Sequence, residues 1–190
     1  PETEIAQSAA ANGRTDARYG MHNAFLNIDN RKMSKSAGNF FTVRDISEKY
    51  DLQILRFFML SAHYRSPLNF SGELMESAKS GYERIVTGVS NLNFLLKNAT
   101  SATAGGEEDA LAAELDGFSA KFDAAMDDDF NTADAISVIF ELVKFANTHA
   151  GEGSRAAFLE ALKKKIVELS DICGLLVEKE EELFDGEIET

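Results

Sequence analysis

A single apolar stripe in the middle of the chain constrains its fold more than any other feature. Between residues 75 and 96, apolar side chains recur at alternating steps of three and four, at Met75, Ala78, Tyr82, Ile85, Val89, Leu92 and Leu96. Because an α-helix has about 3.6 residues per turn, this spacing places all of them on one face of a long helix. A long helix with a narrow apolar face needs other helices to cover it, so the stripe predicts a helical bundle.

Three further helical patterns follow the stripe. A linker of small residues at 99–106 precedes them, and Asn131 or Thr132 is placed to cap the third helix of the set. We therefore predict an antiparallel four-helix bundle over residues 71–176, followed by an acidic tail at 177–190. The apolar positions of the second, third and fourth helices are Leu111, Leu115, Phe118 and Phe122; Ile136, Ile139 and Val143; and Leu159, Leu162, Ile166, Leu169, Cys173 and Leu176.

The first 70 residues follow a different pattern, with short elements and more turn residues. Gly13 is a plausible C-terminal cap for a first helix, Thr42 and Asp45 form a capping box, and Asp51 can cap the helix after it. Pro67 forces a non-helical connection to the bundle. The predicted elements are a helix at 5–12, one strand at 21–28, a helix from 43 to about 50 and another from 52 to 64.

Charge is distributed unevenly along the chain. The formal net charge is −13, but residues 1–70 carry nine Lys/Arg and seven Asp/Glu, a net of +2, whereas residues 71–190 carry ten and 25, a net of −15. An acidic bundle repels phosphate over most of its surface, so any RNA contact there must use a restricted patch. The bundle is therefore expected to be mainly a solvated scaffold.

Two absences narrow the class of protein. The chain contains no run of about 18 apolar residues, and so we expect no membrane span. It has one cysteine, Cys173, which excludes an internal disulfide framework and fits a reducing cytoplasm. Because Cys173 lies on an apolar helical face, we interpret it as a small core residue.

The chemistry-bearing motif is the run Lys32-Met33-Ser34-Lys35-Ser36, which follows the predicted strand and precedes a Gly-Asn pair. Two lysines three residues apart, with hydroxyl residues beside them, can bring ammonium groups to a pyrophosphate as negative charge builds on it. An arbitrary pair of lysines at this spacing would more often be a solvated basic turn. The complete pentapeptide in this setting favours a nucleotide-binding loop.

This pentapeptide and four other runs resemble the cysteinyl-tRNA synthetase family of class I aminoacyl-tRNA synthetases, in the family's order. The other four runs are Glu4-Ile5-Ala6-Gln7-Ser8, Met21-His22-Asn23, the S-A-H-Y-R-S-P-L-N-F-S run at 61–71 and the A-M-D-D-D-F-N-T run at 125–132. The pentapeptide alone would also fit the methionine, leucine, isoleucine and valine enzymes, whereas the runs at 61–71 and 125–132 point to the cysteine enzyme.

The resemblance implies a mainly α chain that is a piece of a larger enzyme. It implies the end of a class I, Rossmann-type catalytic domain with one short strand and the pentapeptide loop at 1–41. Stem-contact helices follow at 42–70, then the four-helix bundle at 71–176 and the acidic tail at 177–190. The family's H-I-G-H motif is absent, and we expect the 190-residue chain by itself to be inactive.

The resemblance also implies ligands and residue roles. ATP, with Mg²⁺, would meet the catalytic Lys35 and Lys32, with Ser34, Ser36 and His22 as further binding residues. Glu4 matches a zinc ligand of the family, but the partner ligands are missing, so zinc is expected only in the intact enzyme. The expected partners are cysteine, ATP and tRNA(Cys), in the cytoplasm and without a membrane. Gly20 stands where the family usually has tryptophan.

Several alternatives stay open at this stage. A related ligase joins cysteine to an amino sugar, and a non-catalytic helical interaction module could retain a relic of the loop. The three carboxylates at 127–129 could bind magnesium, although helix capping and hydrogen bonding between domains are the favoured roles. We interpret His63 as a packing residue between the bundle and the non-helical link that precedes it. We interpret His149 as an exposed cation at a helix C-terminus.

Overall fold

The computed structural model describes residues 2–14, 19–33, 41–99 and 106–176, and it is mainly helical, as predicted. No described helix is long and apolar enough to cross a membrane. The helices are α1 (Glu2–Asn12), α2 (Val43–Ser47), α3 (Leu52–Leu60), α4 (Gly72–Lys97), α5 (Glu107–Ala113), α6 (Leu115–Asp127), α7 (Thr132–His149) and α8 (Ala156–Ile172), and the strands are β1 (Leu26–Ile28), β2 (Arg31–Lys32) and β3 (Leu68–Phe70).

The apolar stripe forms the buried face of α4, as its spacing predicts. Met75, Ala78, Ile85 and Leu92 are buried, and the other stripe residues pack partly buried against the same core. Helix α4 packs against α3, α7 and α8, while α6 packs against α7. Ser71 caps the helix, since its hydroxyl accepts a hydrogen bond from the backbone N–H of Leu74.

The second predicted bundle helix is two helices in the structure, because the chain breaks at Glu114. The Glu114 N–H donates to the Leu111 carbonyl at 3.2 Å and the Gly117 N–H donates to the Glu114 carbonyl at 3.0 Å, both bonds spanning three residues rather than four. These tighter turns interrupt the regular α-helical hydrogen bonding at this point. The expected apolar residues are nevertheless in place, with Leu115 and Phe122 buried.

Arg155, at the start of α8, forms ion pairs with α5. Its Nε donates to the Glu108 carboxylate at 2.7 Å, and its guanidinium also pairs with Asp109. The same Glu108 carboxylate accepts the backbone N–H of Arg155 at 3.3 Å, so α5 supplies the N-terminal cap that α8 lacks. Burial acts to raise the pKa of Glu108, but the hydrogen bonds from Arg155 outweigh it and hold that pKa below its ordinary value.

Helix α3 contributes to the same apolar core as the bundle. Ile54, Phe57 and Phe58 are buried, and the Phe57 ring lies against Tyr82 of α4 and Phe140 of α7, with ring centroids 6.3 and 6.1 Å apart. Asp51 caps α3 as predicted. The division of the chain into a stem-contact segment at 42–70 and a bundle at 71–176 stays a prediction.

Two helix ends differ from the sequence prediction, whereas two caps agree with it. Helix α3 ends at Leu60 rather than at 64, because the chain turns at 61–66 to enter β3. Helix α2 ends at Ser47, but its capping box between Thr42 and Asp45 is present. Gly13 ends α1 with a φ of +65°. The predicted acidic tail at 177–190 lies outside the described residues.

Three strands form a small sheet where the sequence predicted one. The order is β2-β1-β3, with β1 antiparallel to β2 and parallel to β3. Asp29 and Asn30 form the turn between β1 and β2 with φ values of +47° and +61°, as in the tight hairpin turns that suit twisted strands. Strands of two and three residues carry too little periodicity to be recognised in a sequence, so β2 and β3 were missed.

Substitution of Gly88 tests how closely α4 approaches α7. A Cβ at this position would lie 2.8 Å from Val143 Cγ1, so Gly88→Ala should destabilise the chain by about 1–3 kcal/mol through overpacking. Gly117 is the matched control, since a Cβ on that α6 residue would meet nothing within 4 Å. Gly117→Ala should stabilise by about 0.5–1 kcal/mol. Chemical denaturation measures both, and equal effects would contradict the packing described here.

The Glu108–Arg155 contact predicts a pH dependence of stability. Because the pKa of Glu108 is lower in the folded chain, its contribution is present above the ordinary glutamate pKa, about 4.5, and is lost as pH falls through the folded value. Thermal unfolding of the unmodified chain and of Glu108→Gln should therefore differ near neutral pH and converge in acid. A difference that persists unchanged to pH 2 would contradict this account.

Candidate functional site

The β1–β2 hairpin positions Lys32, the first lysine of the pentapeptide. Lys32 is the last residue of β2, and its Nζ lies 5.5 Å from the centroid of the Phe25 ring. The hairpin turn is held from outside, since Asn69 Oδ1 accepts the Asn30 N–H at 2.7 Å. Tertiary contacts thus present a cation and an aromatic ring together on an exposed edge of the sheet.

The remaining pentapeptide residues that the sequence singled out, Ser34, Lys35 and Ser36, lie outside the described residues. After this segment, the Thr42 N–H donates to Asp45 Oδ2 at 2.7 Å and the Asp45 N–H donates to Thr42 Oγ1 at 3.2 Å, which caps α2. The hydrogen bond from the Thr42 backbone holds the pKa of Asp45 below its ordinary value. The pentapeptide therefore begins at the last residue of β2, and a capped helix, α2, follows it in the sequence.

The other predicted site residues lie on separate segments. Glu4 is exposed in the first turn of α1, as expected for a helix-start carboxylate. His22 is exposed in irregular chain before β1, which begins only at Leu26. Among the residues that the structure describes, no group of three His, Cys, Asp or Glu side chains is arranged to hold a metal ion. Neither Glu4 nor His22 is thus part of a metal cluster within this described set.

A largely apolar cleft of about 400 Å³ opens beside the hairpin. It lies between the segment that leads into β1, the end of α3 and the link to β3. Phe25, which carries Lys32 over its ring, is 70% exposed and forms part of the cleft wall. The remaining wall comprises Asn23, Ala24, Leu26, Met59, Leu60, Ala62, His63, Tyr64, Ser66 and Leu68.

A polar junction joins the two sequence runs at 61–71 and 125–132. Asp129, in the turn between α6 and α7, accepts the Tyr64 hydroxyl at 2.8 Å and pairs with Arg65 Nε at 2.8 Å. His63 stacks on Tyr64 with ring centroids 4.8 Å apart, and its Nε2 lies 3.9 Å from Asp129. The hydrogen bonding predicted for 127–129 is present at Asp129, and His63 lies between Tyr64 and this turn, in agreement with its predicted packing role. None of the three carboxylates caps α7, since Asn131 does so and Asp128 is the C-cap residue of α6 through its backbone N–H.

Sequence reasoning missed the partners in this junction. Tyr64 and Arg65 belong to a recognised run, but nothing in their spacing shows that they meet Asp129, 64 or more residues away. The hydrogen bond to Tyr64, together with the charge of Asp129, raises the pKa of Arg65 above its ordinary value, so the guanidinium stays charged. The runs at 61–71 and 125–132 each contain several polar residues, and this was the sequence signal that could have suggested a contact between them.

A second contact at the same junction ties α7 to α3. The Thr132 hydroxyl donates to the Leu60 carbonyl at 2.8 Å, and Asn131 caps α7 by accepting the Asp134 N–H at 3.2 Å. The predicted cap is therefore Asn131 rather than Thr132. At the far end of α7, His149 is exposed, as predicted, and its ring packs against Phe145 at 4.5 Å.

Comparison with known families assigns both halves of this junction. Residues 1–80 match the family described as the catalytic domain of class I (C) tRNA synthetases, and residues 121–177 match the DALR domain. Residues 1–80 belong to the class I tRNA synthetases. The first match contains the hairpin and the 63–65 contacts, and the second contains Asp129. The polar junction is therefore a contact between the two family regions.

Individual relatives align with nearly the whole chain. It is 58% identical over 188 residues to a cysteine–tRNA ligase of Lachnospira eligens and 50% identical over 188 residues to a cysteine–tRNA ligase of Clostridioides difficile. Each alignment covers 99% of this chain, and the chain spans about 40% of the length of those relatives. The predicted resemblance to cysteinyl-tRNA synthetase is confirmed.

The three-dimensional fold has a solved counterpart. It is similar to a chain in the LeuRS–tRNA–LeuAMS ternary complex from Agrobacterium radiobacter K84, with a TM-score of 0.62. The match covers 82% of this chain and 23% of that chain at 20% sequence identity. At this identity the similarity concerns the fold alone, and it supports the predicted order of a catalytic-domain end followed by helices.

The hydroxyl of Thr132 provides a test of the α3–α7 contact. Thr132→Val removes the donor to a part-buried carbonyl and should cost about 0.5–1.5 kcal/mol of unfolding free energy. Thr148 is the matched control in the same helix, since its hydroxyl only bonds the Lys144 carbonyl one turn back. Such back-bonding contributes little to helix stability, so Thr148→Val should be nearly neutral. Denaturation curves that rank the two variants in the opposite order would contradict the assignment.

Proposed function

We propose that this chain acts as part of a cysteine–tRNA ligase. That enzyme activates cysteine with ATP, giving cysteinyl-adenylate and pyrophosphate, and then transfers the cysteinyl group to tRNA(Cys). The observation that carries the proposal is the 48–58% identity to cysteine–tRNA ligases over 99% of the chain. The pentapeptide at 32–36, which begins with the last residue of β2, supplies residues suited to the activation step.

In the proposed activation step, the cysteine carboxylate attacks the α-phosphorus of ATP and pyrophosphate leaves. Negative charge grows on the leaving group, and Lys35 would meet this charge while Lys32 supports it from the end of β2. A cation that strengthens its contact as charge develops stabilises the transition state more than the bound substrate. Ser34, Ser36 and His22 are the further residues that we assign to ATP binding.

Metal ions enter the proposal only through the intact enzyme. Mg²⁺ would accompany ATP. Glu4 would be one zinc ligand, and zinc suits a site that selects a thiol because it binds thiolate, imidazole and carboxylate ligands together. The described residues do not form such a site by themselves, and so no step is assigned to a metal here.

The alternatives have less support. The relatives named above are cysteine–tRNA ligases, which favours tRNA as the acceptor over an amino sugar. The match of residues 1–80 to a catalytic-domain family favours an enzyme over a non-catalytic helical module. We also infer a cytoplasmic site of action, where the buried thiol of Cys173 would stay reduced.

Replacement of Lys35 in the full-length ligase tests the proposal. Lys35→Ala should lower kcat for cysteine-dependent pyrophosphate exchange by about 10²–10³-fold, on the scale of removing one electrostatic stabiliser, with little change in the KM for cysteine. Lys49→Ala, which removes an exposed lysine after α2, is the matched control and should leave kcat unchanged. The 190-residue chain alone should show no exchange and serves as a negative control.

An unchanged kcat combined with a raised KM for cysteine would contradict the role of Lys35. Absence of cysteine-dependent exchange in the unmodified full-length protein would contradict the proposed function itself.

A further inference from the structure

We propose that Asp129 is a positioning residue, which fixes the β1–β2 hairpin, and with it Lys32, relative to the helices of the DALR match. Asp129 lies within the region that matches the DALR domain, whereas its partners His63, Tyr64 and Arg65 lie within the catalytic-domain match. The inference deepens the proposed function and rests on it for the role of Lys32.

The first step is that Asp129 immobilises Tyr64. The Tyr64 hydroxyl donates to Asp129 at 2.8 Å and also accepts the Arg65 Nε–H at 2.9 Å. The Tyr64 ring stacks on His63 from one side, and Arg65 Cζ lies 5.5 Å from its centroid. With its hydroxyl and its ring both held, Tyr64 has little rotational freedom.

The second step is that the backbone of Tyr64 holds the hairpin. The Tyr64 carbonyl accepts the Ala24 N–H at 2.8 Å, two residues before β1 begins. The Phe25 carbonyl in turn accepts the Leu68 N–H at 3.1 Å, which starts the parallel pairing of β1 with β3. Hydrogen bonds therefore join the link between Tyr64 and β3 to the segment that enters β1. Strand β1 continues through the hairpin turn into β2, which ends at Lys32.

The third step concerns the turn that presents Asp129. Asp129 and Phe130 have φ values of +56° and +54°, a backbone region that side-chain-bearing residues seldom adopt. The Asn131 N–H donates to the Ala125 carbonyl at 3.1 Å, which closes the turn at the end of α6. The turn therefore aims one carboxylate at the link, while the adjacent Asp128 is the C-cap of α6.

The exposure of these groups separates positioning from bulk stability. The side chains of Asp129 and Arg65 are 42% and 66% exposed, and exposed ion pairs add little to global stability. If Asp129 positions the hairpin, its replacement should lower amide exchange protection mainly there. If Asp129 only stabilised the fold as a whole, its replacement would lower the protection of all slowly exchanging amides together.

Amide hydrogen exchange on this chain tests the inference with Asp129→Asn, which keeps a residue tolerant of positive φ and removes the charge. Exchange protection at Ala24 and Leu68 should fall several-fold, because a neutral amide oxygen accepts weaker hydrogen bonds from Tyr64 and Arg65 than the carboxylate does. Interior amides of α4 and α7 should keep their protection. Asp128→Asn is the matched control, with the same chemical change one residue away, and should leave all of these amides unaffected.

Arg65→Gln removes the charge of the partner of Asp129 that lies in the catalytic-domain match. It tests the same contact independently if Asp129→Asn fails to fold. It should lower protection at Ala24 and Leu68, and in the double variant the two effects should be less than additive. Unchanged protection at Ala24, an equal fall in α4 and α7, or the same response to Asp128→Asn would overturn the proposal.

A second measurement uses the full-length ligase. Asp129→Asn should lower kcat for pyrophosphate exchange several-fold while leaving the KM for cysteine unchanged, because Asp129 would act through the placement of Lys32. Loss of hairpin protection without a change in kcat would overturn the catalytic consequence. Absence of exchange in the unmodified ligase would instead refute the proposed function, and the hydrogen-exchange result would still decide whether Asp129 holds the hairpin.

Discussion

Burial of the apolar face of α4 is the interaction on which the rest of the structure depends. Met75, Ile85 and Leu92 are at most 2% exposed, and full burial of such a side chain is worth about 1.5–3 kcal/mol. Helices α7 and α8 cover this face from the bundle side, and α3 covers its N-terminal part. One helix thus joins the segment beside the candidate site to the acidic bundle.

The close packing around α4 depends on two residues without side chains. A Cβ at Gly81 would lie 3.0 Å from the Phe57 ring, and a Cβ at Gly88 would lie 2.8 Å from Val143. Gly81 therefore admits the aromatic ring of α3, and Gly88 admits α7. Because these contacts lie on one helix, the position of α3, and of the link that follows it, is set by the same packing that closes the bundle.

The candidate site depends on polar contacts laid over this apolar frame. The hairpin carries Lys32, but its place is set by the link at 61–70, through the Tyr64 carbonyl and through pairing of β1 with β3. The link is held in turn by Asp129 and by the hydroxyl of Thr132. Contacts between residues far apart in sequence therefore fix the place of Lys32, one of the residues that we assign to ATP.

The sequence by itself determined the helices, their buried faces, several caps and the family. Periodicity is a local property, so the stripe of α4 and the capping box at Thr42 and Asp45 could be predicted residue by residue. Only the tertiary structure decided the break at Glu114, the strands β2 and β3, and the meeting of Tyr64 with Asp129. These features consist of pairings between distant segments, and the spacing of residues along one segment carries no information about its partner.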